Sequence, residues 1–185
     1  MWPWGHVAVA YLCWIAYARI ADAEADDGTA IWIVAVAALI PDLIDKPLAW
    51  YVGVLPTGRS LGHSLVLLIP LSILVYLWAR RVSRPHWGVA FGIGVISHAI
   101  LDALPVLWRD DMSATFLLYP LLSIEGYGER GTPTVTELFF AGLGDPYFLL
   151  EIPLAAIAGF LWYRQGCPGI PPLADVFSRR QEEQS

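Results

Sequence analysis

Five apolar segments, each close to the length needed to cross a lipid bilayer, divide this chain. They cover residues 4–20, 29–44, 61–79, 87–108 and 146–163. About 20 consecutive apolar residues span the hydrocarbon core as a helix, which pairs its own backbone groups away from water. Because 57% of the 185 residues are hydrophobic and only 15% are charged, we exclude an ordinary soluble domain. The pattern predicts an all-α membrane protein, a bundle of about five transmembrane helices.

The rest of the chain is shorter or more polar. Residues 112–124 are apolar but interrupted by Pro120, and we expect a short interfacial or re-entrant element there, after the fourth span. Residues 1–165 are interpreted as a single transmembrane helical domain. Residues 166–185 are rich in proline and then in charge, which predicts a disordered cytoplasmic tail.

The positions of the basic residues predict the orientation of the spans. The loop between the third and fourth spans reads RRVSR, and such loops stay in the cytoplasm. This places the N-terminus outside and the C-terminus inside. The net charge of −6 argues against nucleic acid as a partner. The lipid bilayer is the partner that the composition indicates.

Five polar residues converge on one side of the membrane in this topology. The first and third spans begin on the outer side, and the second and fourth end there. The residues brought to that side are His6, Asp42, His63, His98 and Asp102. Reversing the orientation moves all of them together, so their common depth does not depend on sidedness. Ionisable groups in apolar segments are costly and indicate a functional site.

Imidazole and carboxylate are ligands of divalent metals. His98 and Asp102 are four residues apart, and Asp42 and Asp45 are three apart, so each pair shares a helix face. Three histidines and two or three aspartates exceed the four ligands of a tetrahedral zinc ion. The surplus leaves two arrangements open, outer partners around one ion or a site with two ions. Zinc is the expected metal, with manganese or iron as alternatives.

Two further polar residues, Arg59 and His86, can be interpreted as interfacial residues. Arg59 lies four residues before His63 on the same side, where a guanidinium can bind a phosphate or carboxylate group or simply anchor the chain at the interface. His86 follows the basic loop on the opposite side. We interpret it as an interfacial residue outside the metal site.

The ordered motifs resemble the YdjM-like family, whose members are classed as membrane-bound metal-dependent hydrolases. The motifs are an N-terminal histidine in a helix of small residues, PDLID, an arginine followed by GHSL, and HAILD, within residues 4–104. The family's third motif commonly reads histidine-arginine ahead of threonine-histidine-serine. Here a glycine precedes the arginine and another precedes the histidine. The resemblance implies metal-site roles for His6, Asp42, His63, His98 and Asp102.

The function we expect is metal-assisted hydrolysis in the outer half of a prokaryotic cytoplasmic membrane. A bound divalent ion activates water and polarises the scissile bond. Asp45 or Asp102, when not a ligand, would act as general base, and Arg59 would stabilise an anionic group. Location within the bilayer suggests a lipid or other amphipathic phosphoester or ester as substrate.

The alternative is a non-catalytic metal-binding membrane protein, either an ion transporter or a metal-stapled scaffold. A transporter places polar groups through the full membrane depth. The inner halves of the first three spans read YLCWIAYA, TAIWIVAV and LSILVYLWA, without a charged side chain, which favours a one-sided site. A stapling metal would have every coordination position filled by protein, whereas a catalytic one keeps a position open.

Overall fold

The computed structural model describes residues 1–23, 25–110, 112–126 and 134–170. In this part of the chain the regular structure is helical, without a strand. The α-helices are α1 (Pro3–Ile20), α2 (Gly28–Ala37), α3 (Ile40–Trp50), α4 (Leu65–Arg81), α5 (Pro85–Ala103), α6 (Val135–Gly142) and α7 (Pro146–Arg164). Two 3-10 helices, Leu104–Leu107 and Thr115–Leu118, lie between α5 and α6. The predicted all-α fold is confirmed for these residues.

The PDLID motif begins a helix, where the sequence pattern suggests the end of one. The chain turns at residues 38–39, and α3 then starts with Pro41 in its first turn. Proline fits this position because the first N–H groups of a helix have no intrahelical partner. The turn directs Asp42 and Asp45 into the protein, where both are buried.

Three helical segments of the described chain are long and apolar enough to cross a membrane. They are Gly28–Trp50, Pro85–Leu107 and Pro146–Arg164. Helix α4 has 17 residues, about 26 Å, which is less than the hydrocarbon core of roughly 30 Å. Helix α1 has 18 residues and includes His6 and Arg19. Five crossings therefore stay a prediction, while a membrane-compatible helical fold is what the structure shows.

Helix α5 lies at the centre of the packing. It contacts α1, α2 and α4, and α7 packs against α1. Two glycines permit the close approach: a methyl group at Gly94 would lie 2.5 Å from Ala37 Cβ, and one at Gly88 would lie 2.4 Å from Tyr76 Cα. Small residues allow such close contact between helices in membranes. Helix α5 can therefore pack against three neighbouring helices at once.

The segment after the fourth predicted span packs beside the C-terminal end of α5. Phe116, in the second 3-10 helix, is buried, and its ring lies 6.0 Å from the His63 ring in an edge-on arrangement. The Ser64 hydroxyl donates a hydrogen bond to the Tyr119 carbonyl. The interfacial or re-entrant character predicted for residues 112–124 stays a prediction. Most of the predicted tail, residues 171–185, lies outside the described residues.

Candidate metal centre

Four buried side chains bring their ligand atoms together at the C-terminal end of α5. Asp42, His63, His98 and Asp102 each offer one atom, and these atoms all lie within 4.8 Å of one another. Asp42 comes from α3, His63 from the loop before α4, and the other two from α5. Groups separated by up to 60 residues in the sequence thus form one cluster that can hold a metal ion.

Asp45 fixes the orientation of the His63 ring. Its carboxylate accepts hydrogen bonds from the backbone N–H groups of Ser60 at 2.6 Å and Gly62 at 2.7 Å. It also contacts His63 Nδ1 at 2.8 Å. Because a carboxylate only accepts, Nδ1 carries the proton, and in the neutral ring Nε2 is the nitrogen whose lone pair faces the cluster. A methyl group at Gly62 would lie 2.7 Å from the Pro41 carbonyl oxygen, so glycine is needed to close the loop.

His98 is oriented in the same way by a backbone group. Its Nδ1 lies 2.6 Å from the Ala38 carbonyl oxygen, at the turn between α2 and α3. A carbonyl only accepts, so this nitrogen carries the proton, and in the neutral ring Nε2 is the nitrogen with the lone pair. The Nε2 atoms of His63 and His98 lie 3.1 Å apart. Two lone pairs facing each other at this distance repel unless a proton or a metal ion lies between them.

Asp42 adds a negative charge at the same point. Its Oδ1 is buried without a hydrogen-bond partner and lies 3.5 Å from His63 Nε2 and 3.7 Å from His98 Nε2. A buried carboxylate oxygen without a partner is costly. Two imidazole lone pairs and one such oxygen are the donor set of a divalent cation. The cluster therefore fits a metal ion on the chemistry of its own atoms.

His6 lies beside these four residues. Its ring stacks on His98, with 3.6 Å between ring centroids and an interplanar angle of 13°. Its Nε2 lies 3.2 Å from Asp102 Oδ1, although the alignment does not make a hydrogen bond, and both ring nitrogens are buried without a partner. Asp102 is thus the member of the four-residue cluster that also lies beside His6.

Positively charged groups contact the two carboxylates of the cluster. The Arg59 Nε donates to Asp102 Oδ2 at 2.7 Å, and the amino group of Met1 donates to Asp102 Oδ1 at 2.8 Å. Lys46 donates to Asp42 Oδ2. Arg59, predicted from its spacing to His63, therefore reaches the centre through Asp102.

His86 lies at the other end of α5, where it was expected. Its Nε2 is 2.7 Å from Asp27 Oδ2, which also accepts a hydrogen bond from Trp87 Nε1 at 2.7 Å. Partial burial raises the pKa of Asp27, but the hydrogen bonds from Trp87 and His86 outweigh it and leave the pKa below its ordinary value. This contact joins α2 to α5 far from the metal centre.

Glu151 is a buried acid that the sequence reasoning missed. It is the one carboxylate in the apolar stretch 146–163, which is the signal that identifies such residues. Its two oxygens lie 2.9 and 3.1 Å from the backbone N–H of Trp2, from which they accept. A methyl group at Gly5 would lie 2.5 Å from Glu151 Oε2. Glu151 thus holds the start of α1, and with it His6, against α7.

This contact predicts that Gly5→Ala destabilises the protein. The added methyl group displaces Glu151 and breaks its charge-assisted bond to Trp2, which costs about 1.5–3 kcal/mol. We expect a lower thermal midpoint in detergent, and no further decrease when the change is made in a Glu151→Ala background. Gly159→Ala is the matched control, because a methyl group there meets nothing within 4 Å. Equal midpoints for the wild type and Gly5→Ala would contradict this account.

Comparison with known proteins gives a family and no individual relative. Neither the curated proteins nor the solved structures include a match to this chain. The sequence profile described as YdjM inner membrane protein matches residues 1–166, which include every residue of the centre and all the helices described above. This description and the apolar helices together support a membrane location. The chain therefore belongs to the YdjM family of inner membrane proteins.

Proposed function

We propose that this protein is an integral membrane metal-dependent hydrolase acting on a lipid or amphipathic phosphoester or ester. One observation carries the proposal: His63 Nε2 and His98 Nε2 face each other at 3.1 Å beside an unpartnered oxygen of Asp42. Hydrogen bonds on the far side of each ring fix this arrangement, as is usual for histidines that bind a metal.

The metal that these donors favour is zinc, held by Asp42, His63 and His98, with Asp102 within 4.8 Å of their ligand atoms. Manganese and iron accept the same nitrogen and oxygen ligands. The buried ring of His6 beside Asp102 is the available imidazole for a second ion. When bound, a divalent ion would activate water and polarise the scissile bond.

The surrounding residues have separate roles in this proposal. Asp45 already accepts hydrogen bonds from the Ser60, Gly62 and His63 backbone N–H groups, so it suits a positioning role behind His63. Asp102 is then the carboxylate we assign to proton transfer, as general base. Arg59, which holds Asp102, would stabilise an anionic group of the substrate.

The proposed topology has five crossings, with α1 and α4 completing the three longer segments. The N-terminus lies outside and the C-terminus, with the tail 166–185, lies inside. His86 and His98 are 12 residues apart on α5, about 18 Å along a helix axis. This separation supports a centre in one half of the bilayer, and the basic RRVSR loop at the other end of α5 supports the outer half. Residues 112–124 would form the interfacial or re-entrant element that covers it.

Hydrolysis by the zinc-loaded protein tests the proposal. We expect purified wild type in vesicles to cleave one class among phosphoester, ester and amide lipids. Asp102→Asn should lower the turnover by about a hundredfold or more, since general base catalysis contributes about 10²–10⁴. His86→Ala is the control and should retain activity. If the protein binds zinc but cleaves none of these lipids, the metal-stapled scaffold or transporter replaces the hydrolase.

A further inference from the structure

Two cations contact the carboxylates of the metal centre and face outward. Lys46, on α3, pairs with Asp42, and Arg59, on the loop before α4, pairs with Asp102. The side chains of Lys46 and Arg59 are 32% and 35% exposed, whereas those of Asp42 and Asp102 are 9% and 4% exposed. The cations therefore lie between the buried cluster and its surroundings. Lys46 is the one lysine in the sequence.

The charge balance of the centre changes sign when a divalent metal binds. Asp42, Asp45 and Asp102 contribute three negative charges, and Lys46 and Arg59 contribute two positive ones. A divalent ion makes the whole centre positively charged in a largely buried place, where an unbalanced charge is costly. An anion entering the centre would restore the balance.

We infer that Lys46 and Arg59 bind the anionic group of the substrate, and that this group is a phosphate ester. The inference rests on the proposed hydrolase function and narrows its substrate class. A phosphate presents several charged oxygens that can contact a metal, an ammonium and a guanidinium together. A carboxylic ester or an amide presents one neutral carbonyl oxygen and leaves the positive charge uncompensated. The pairing of the cations with Asp42 and Asp102 keeps them in place before substrate arrives.

Binding of inorganic phosphate to the zinc-loaded full chain tests this inference. We expect Lys46→Gln and Arg59→Gln each to weaken phosphate binding about tenfold or more, the usual effect of losing a hydrogen bond to a charged group. Lys46→Arg should retain most of the affinity, because it keeps the charge. Arg84→Gln is the matched control: this arginine lies beside Trp87 at the opposite end of α5. Zinc content is measured for every variant.

A second measurement uses the wild-type protein, so it does not require a variant that still binds zinc. Because Lys46 is the one lysine, its acylation by an amine-reactive reagent can be followed by mass spectrometry in the wild type. Phosphate should protect Lys46 from acylation when zinc is bound and should protect it much less when zinc is removed. Absence of protection would overturn the inference, as would unchanged phosphate affinity in Lys46→Gln and Arg59→Gln with zinc retained.

The outcomes separate this inference from the proposed function. If the zinc-loaded protein cleaves a neutral ester lipid faster than a phosphoester lipid, and Lys46→Gln does not affect it, the hydrolase stands and the anion-binding role fails. If no lipid of either class is cleaved while phosphate still protects Lys46, the anion-binding role stands and the hydrolase fails.

Discussion

We expect His98→Ala to abolish stoichiometric zinc binding, with an affinity loss of more than about a hundredfold. Replacing an outer partner of a ligand costs about 10–100-fold, and His98 is placed to contact the ion directly. Its Nε2 faces His63 Nε2 and the unpartnered Asp42 Oδ1, so its removal takes away one of the converging donors. Metal analysis of the purified protein and a zinc titration measure the loss.

A stability measurement separates lost binding from lost folding. A ligand at a hundred times its dissociation constant stabilises the native state by about 2.7 kcal/mol. Zinc should therefore raise the thermal midpoint of the wild type and of His86→Ala, whose histidine lies at the other end of α5 beside Asp27. It should not raise that of His98→Ala. Equal zinc content in His98→Ala and the wild type would contradict the assignment of the centre.

The helical fold and the proximity of the three histidines could be predicted because both depend on one-dimensional patterns. Apolar length indicates where a helix can cross a membrane, and basic loops indicate its direction. The spacing of His98 and Asp102 places both on one face of α5, and the structure buries both there. The cluster in the structure contains four of the five residues that the topology placed at one depth.

The roles within the centre could not be predicted in this way, because they depend on the loop 51–64. The spacing of Asp42 and Asp45 suggests two equivalent carboxylates on one face of a helix. In the structure they differ: Asp42 faces the imidazole nitrogens, and Asp45 accepts hydrogen bonds from the loop. Helical spacing predicts which residues share a helix face. It does not predict how the loop 51–64 folds back over α3. The glycine at position 62 is what lets this loop approach Pro41.

The sequence also contains signals for Lys46 and Glu151, which membrane depth alone does not identify. Lys46 is four residues after Asp42, the spacing of an ion pair on a helix, and the structure contains that pair. Glu151 is an isolated acid in an apolar segment, and it holds the start of α1 through Trp2. Charged residues inside apolar stretches should therefore be assigned partners before a site is considered complete.

We expect Asp45 variants to weaken zinc binding in graded steps, because Asp45 contacts the far side of the His63 ring. Asp45→Asn can keep one oxygen for His63 Nδ1, but its amide then faces the Gly62 N–H and the negative charge is lost. Outer partners of ligating histidines contribute about 10–100-fold to metal affinity. We therefore expect about tenfold weaker binding for Asp45→Asn and about a hundredfold for Asp45→Ala, which also leaves His63 free to turn. A zinc titration of each purified variant measures both steps.

Comparing the zinc affinities of Asp45→Asn and Asp45→Ala shows whether Asp45 acts by orienting His63 or only through its negative charge. If Asp45 acted only through its negative charge, asparagine and alanine would weaken binding equally, since both are neutral. If it acts by holding His63 in one tautomer, asparagine should retain part of the affinity, because its oxygen still accepts from Nδ1. Asp22→Asn is the control for the charge change, as Asp22 is exposed with a φ of 50° that asparagine tolerates. Unchanged zinc affinity in Asp45→Ala would show that the loop and His63 keep their places without the carboxylate, and the proposed positioning role would fail.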